Sequence, residues 1–161
     1  MEKLLTVIER LQSIIGFVNF VALTVVVTLQ ILTRFVIESP LLWTEEVARF
    51  LLFWLVLNGA ALAVFRKRHF VIELFDIDHI DNRLLKRLLQ LIPVVCILFV
   101  GLIMTFYGAE YALLGRFRVV PISGINMMYV YLAIPLSGAI ISIYSLCQLI
   151  ALSTRGEDAH A

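Results

Sequence analysis

The chain has 161 residues, is 61% apolar and carries a formal net charge of +1, with a mean hydropathy of +0.99. Soluble domains are about half apolar or less, so this composition excludes an ordinary water-soluble globule and indicates an integral membrane protein. The near-zero charge, with no basic residues interleaved with stacking aromatics, gives no basis for nucleic-acid binding. The cysteines, Cys96 and Cys147, are far apart within apolar runs and read as small hydrophobes rather than a disulfide or redox pair.

In chain order, the first segment places Leu4, Ile8, Leu11 and Ile15 at helical spacing opposite Lys3, Glu9 and Gln12. It reads as an N-terminal amphipathic segment lying on the membrane surface before turning into the first span. The uncharged run from Leu11 to Thr33 exceeds a signal-peptide core, and no small-x-small cleavage pattern follows closely, so it is expected to be a span. Ser39-Pro40 marks the next helix start, a serine cap before proline at the first helical position. Trp43, Glu45, Glu46 and Arg49 come next, then an uncharged run from Phe50 to Phe65, then Arg66-Lys67-Arg68-His69. That order reads as interface, hydrocarbon and interface on one helix, with Trp43 in the headgroup belt. Arg49 reaches Glu46 at i,i+3 and Glu45 at i,i+4, which leaves one carboxylate in excess. It is left to water or to a cation on a partner, for which Arg34 of this chain is a candidate.

The loop from Arg66 to Arg87 is long and carries Phe70, Ile72, Leu74 and Phe75, which predicts an interfacial segment against the membrane or a protein. Its Asp76, Asp78, His79 and Asp81 lack recognised metal-ligand spacing, and its basic residues suit anionic lipid headgroups or an acidic partner. A third run extends from Leu88 to Ala109. The last, Val119 to Thr154, is too long for one span, and Pro121, Gly124 and Asn126 break it before a helix at about Met127. The prediction is an all-α integral membrane protein of four transmembrane helices in one domain, 1–161, with helices near 11–33, 40–65, 86–112 and 127–152. Lysine and arginine number nine on the side of the N-terminus, second loop and tail, against four on the other. The positive-inside rule then places both termini in the cytoplasm.

Small residues mark expected helix contacts: Gly59 with Ala63, then Gly101, Thr105 and Ala109, then Gly138 with Ser142. Asn58 is positioned to hydrogen-bond across helices. Pro93 and Pro135 are expected to kink their helices. No ionisable residue lies near the centre of a span, where ion and proton pathways place them. The histidines are all outside the spans, which argues against axial haem ligation. No paired-cysteine motif, phosphate loop or nucleophile-base pair occurs, so the chain reads as a non-enzyme that accompanies whatever moves a substrate.

Trp43-x-Glu45-Glu46-x-x-Arg49, the Trp54/Asn58/Gly59 stretch, and Arg66-x-x-His69 followed by Ile72 together resemble the small membrane subunit of tripartite ATP-independent periplasmic (TRAP) transporters. The likeness covers essentially the whole chain. It implies a bacterial inner-membrane subunit that braces a large multi-span partner, with a periplasmic solute-binding protein delivering a carboxylate-bearing solute. Cofactors on this chain are expected to be none, with sodium on the large subunit. Beside this resemblance, Trp43, Glu45, Glu46 and Arg49 are expected to anchor the outer end of the second helix against the chain's own bundle or the large subunit, and Arg66, Arg68 and His69 the inner end, with Trp54 and Asn58 between as candidate interface residues. Arg116 and Arg118 are candidates for docking the binding protein. A self-contained small multidrug exporter acting as a homodimer is the alternative, but it needs a membrane-embedded carboxylate that the first span lacks.

Overall fold

A computed structural model describes residues 2–37, 39, 41–66 and 83–157, with side-chain environments over 5–37, 39, 41–66 and 91–152. The expected interfacial segment between the second and third spans, including Arg68 and His69, falls outside the described residues. Within them the chain is helical: α1 (Glu2–Phe35), α2 (Leu42–Arg66), α3 (Arg83–Leu114), a short α4 (Met127–Tyr131) and α5 (Ala133–Glu157). Four stretches are long and apolar enough to cross a membrane: Leu5–Phe35, Leu42–Arg66, Leu91–Phe117 and Met127–Leu152. The protein is therefore an all-α membrane protein, with four spans among the described residues.

The spans form an open layer in the order α1, α2, α5, α3. α3 packs most extensively on α5, α1 packs on α2, and α2 also packs on α5; α1 makes no comparable contact with α3. Glycines set the closest approach. A Cβ on Gly138 would lie 2.8 Å from Met104 Cβ and from the Thr105 nitrogen, and one on Gly101 would lie 2.7 Å from Ser142 Oγ. Gly108 completes the stripe, where a Cβ would lie 2.7 Å from Ile134 Cγ2. Residues 101, 105, 108 and 112 recur at i, i+4, i+7 and i+11, one face of a helix, so Gly108 and the buried Ala112 take the role expected of Ala109, which is exposed. The side chains of Thr105 and Ser142 donate back to the carbonyls of Gly101 and Gly138, at 2.7 and 2.9 Å. Their hydroxyls are thereby satisfied where no water is available.

α1 runs unbroken from Glu2, and its 34 residues span about 51 Å at roughly 1.5 Å per residue. Its amphipathic start is oriented opposite to a surface-lying helix. Gln12 is only 4% exposed, whereas Leu11 and Ile15 face outward. In a membrane the polar stripe turns toward protein and the apolar stripe toward lipid, because hydrocarbon offers no partner for an amide. α2 starts at Leu42, just beyond the expected cap, with the buried Thr44 hydroxyl donating to the Leu41 carbonyl at 2.6 Å. Pro93 leaves α3 continuous. By contrast, the last span is divided at Leu132, between α4 and α5. Pro135 has no N–H for the Tyr131 carbonyl and its ring crowds that turn, which accounts for the break. Cys147 is half-buried and Cys96 exposed on α3, and both are free thiols.

Candidate functional site

Beyond α3 the chain makes one 3-10 turn (Gly115–Phe117) and then a small hairpin closed by an antiparallel bridge between Val119 and Asn126. The Val120 N–H donates to the Ile125 carbonyl at 2.9 Å and the Gly124 N–H to the Val120 carbonyl at 3.0 Å. Gly124 has φ +68°, a left-handed conformation that disfavours any Cβ. Asn126 then starts α4. Its Oδ1 accepts from the Met128 N–H at 2.9 Å, while its Nδ2 donates to the Arg116 carbonyl at 3.0 Å. One asparagine thus caps a helix and ties it to the preceding turn.

This hairpin decides the fate of the surplus carboxylate on α2. Arg49 pairs with Glu45 at 3.1 Å, both side chains being largely exposed. Glu46 is directed inward instead, and its Oε2 accepts the backbone N–H of Ser123 at 2.8 Å. Neither Arg34 nor Arg49 neutralises it; Arg34 sits 5.9 Å from the ring centroid of its neighbour Phe35. A charge-assisted bond to a loop N–H holds the hairpin against the end of α2. Trp43 is partly exposed at the same end, and Trp54 is half-buried within the span. Arg116 and Arg118 are exposed beside the hairpin, with the Arg116 guanidinium 4.9 Å from the Phe117 centroid. Within the cluster, Glu46 is bound inside the chain, while Glu45 and Arg49 face outward.

At the opposite end a polar clasp joins three helices. Gln12 Nε2 donates to Asn58 Oδ1 at 3.1 Å, and Asn58 Nδ2 returns a bond to the Gln12 carbonyl at 3.1 Å. The Tyr144 hydroxyl, on α5, donates to Gln12 Oε1 at 2.8 Å and is itself buried. Gln148 Nε2 donates to the Val64 carbonyl at 3.0 Å, and the Tyr144 ring lies 4.9 Å from that of Phe65. Arg66 closes the end of α2 onto α1, reaching Glu9 Oε1 at 3.4 Å and Ser13 Oγ at 3.3 Å. A Cβ on Gly16 would lie 3.1 Å from Asn58 Nδ2, so glycine there admits the amide. Asn58 was legible in the sequence as an interhelical donor. Gln12, Tyr144, Gln148 and Ser123 were not; the available signal was an amide at position 12 on the edge of an apolar run.

Among the described residues no group of histidine, cysteine, aspartate and glutamate side chains is placed to hold a metal ion. The charged residues of the described spans lie toward their ends. Among the described residues, the polar contacts join helices to one another and tie the hairpin to α2. Residues 23–155 match the family described as tripartite ATP-independent periplasmic transporters, DctQ component. The chain belongs to this family. It is a small membrane subunit of the TRAP type and, with four spans, a multi-pass inner-membrane protein.

Two relatives add detail to the DctQ assignment. The chain is 28% identical over 138 residues to the sialic acid TRAP transporter small permease protein SiaQ of Vibrio cholerae, covering 86% of this chain and 79% of that protein. It is 31% identical over 133 residues to the sialic acid TRAP transporter permease protein SiaT of Haemophilus influenzae. That match takes in 80% of this chain but 20% of SiaT, so in that relative the DctQ-like region is one part of a much longer permease polypeptide. These matches name permeases, not enzymes, and none supports the self-contained exporter.

Proposed function

We propose that this DctQ-family chain is the bracing subunit of a sodium-coupled TRAP transporter for a carboxylate-bearing solute, with sialic acid or a related sugar acid the leading class. The observation that carries this reading is the match to a sialic acid small permease over 86% of the chain. The described spans agree with it, since they present no ionisable group at their centres to coordinate sodium or a carboxylate. Cargo and ion therefore belong to a large membrane subunit, and a 20% match within a longer permease supports that partner.

In this reading the hairpin and the outer ends of α1 and α2 lie in the periplasm, and both termini are cytoplasmic, as the lysine and arginine distribution requires. Arg116, Arg118 and exposed Phe117 are the residues available to a periplasmic solute-binding protein. The test is reconstitution of the tagged chain with and without the large permease. Sodium-driven uptake, with binding protein and labelled sugar acid supplied, should require both membrane chains. Copurification without uptake in any sugar-acid trial would remove the substrate class. Failure of the two chains to copurify would remove the bracing role.

A further inference from the structure

Among the described residues, the exposed face of α2 differs from those of α1 and α3. α1 turns Phe17, Val21 and Val25 outward, and α3 turns out Phe99, Ile103 and Phe106, bulky side chains that suit lipid. The exposed stripe of α2 runs through Glu45, Arg49, Leu52, Val56, Gly59, Ala60 and Ala63, spaced so that all lie on one side of the helix; its half beyond Val56 is made of small residues. Gly59 is the informative member. Gly16, Gly101, Gly108 and Gly138 each stand where a Cβ would meet a neighbouring helix at 2.7–3.1 Å, whereas one on Gly59 meets nothing within 4 Å. The other helical glycines of the spans admit a neighbour; this one has none among the described residues, and glycine weakens a helix unless close approach requires it.

A separate observation supports a membrane-spanning occupant for this face. In the longer relative the region matching this chain is 20% of a single permease polypeptide, so a membrane-spanning partner accompanies the fold. The Glu45–Arg49 pair, 63% and 70% exposed, continues the same stripe at the hairpin end and offers both signs of charge to such a partner.

We infer that the outward face of α2, from Glu45 and Arg49 through Gly59 to Ala63, is the surface on which a transmembrane helix of the large permease packs closely. This inference rests on the bracing role proposed above. Its test uses the full complex, with the photo-crosslinking amino acid p-benzoylphenylalanine placed in this chain at position 56 or 63, or at control position 25 on α1 or 106 on α3. Crosslinks to the large permease are expected from 56 and 63. In parallel, Gly59→Leu and Ala63→Leu should lower recovered complex by about tenfold, the effect of overfilling a packed contact. Ala109→Leu, a small residue exposed on α3, should leave recovery unchanged, and no isolated variant chain should melt below wild type. Crosslinks from 25 or 106 with none from 56 or 63, crosslinks between two copies of this chain, or full recovery of the leucine variants would each overturn the inference while leaving the bracing role standing. If the wild-type chain retains no large permease, both fall together.

Discussion

Replacing Gln12 with leucine tests the polar clasp, the least expected feature of the fold. The substitution keeps the volume close but removes the bond to Asn58 Oδ1 and the acceptor for the Tyr144 hydroxyl. Interhelical hydrogen bonds in membranes contribute about 0.6 kcal/mol on average and up to about 1.7. Two lost bonds therefore account for roughly 1–3 kcal/mol. The stranded Tyr144 hydroxyl adds its desolvation cost of about 1–3 kcal/mol, reduced wherever it finds another acceptor. A total loss of about 2–6 kcal/mol is expected, toward the lower end where the Tyr144 hydroxyl finds another acceptor. Tyr144→Phe removes a single donor and should cost about 1 kcal/mol. Because both changes break the same bond, the double variant should be less destabilised than the sum, with a coupling energy of about 0.5–1.5 kcal/mol. Unfolding of the purified chain in mixed micelles, followed by circular dichroism against denaturing detergent, measures each value. If Gln12→Leu lies within about 0.5 kcal/mol of wild type, the range of an unremarkable surface change, the clasp does not hold α1 in place.

Other substitutions probe the remaining contacts. Glu46→Ala should free the Ser123 N–H and raise hydrogen exchange across 119–126, while Glu46→Gln, retaining a neutral acceptor, should restore part of the protection. Gly138→Leu drives side-chain atoms into Met104 and Thr105 and should prevent α3 and α5 from packing, seen as loss of the monodisperse chain in detergent; Gly59→Ala should instead stabilise the isolated chain by up to about 1 kcal/mol through helix propensity. Arg49→Ala should change the isolated chain by no more than a few tenths of a kcal/mol, since exposed i,i+4 pairs contribute little; a large loss by the same unfolding assay would refute its assignment as outward-facing. A cysteine at exposed Ile122 should react with a membrane-impermeant maleimide in intact spheroplasts, and reaction only after lysis would reverse the proposed orientation.

The spans were legible because hydropathy and length decide membrane crossing almost by themselves, and the family followed from ordered residues on and beside α2. Helix faces were partly legible. Gly101, Thr105, Gly138 and Ser142 stand out in the sequence as small residues fit for helix contacts, but nothing there shows that the two stripes face each other, and strict i+4 spacing points to Ala109 where the turn geometry uses Gly108. The amphipathic start of α1 was read as though water lay opposite lipid. Protein lies there instead, which turned Gln12 from a solvated residue into the centre of a network. The surplus carboxylate was countable from Trp43 to Arg49, yet its partner was not. A backbone N–H at Ser123, 77 residues away, leaves no mark in a sequence. For the same reason sequence alone did not separate Glu46 from its neighbour Glu45, although they face different surroundings.

The most direct measurement compares proteoliposomes holding this chain alone with others holding it beside the large permease, both given a sodium gradient, binding protein and labelled sugar acid. Accumulation is expected only where both chains are present. Sodium-dependent accumulation by this chain alone would contradict the account, because it would demand a cargo path that the described spans have no charged side chains at their centres to form.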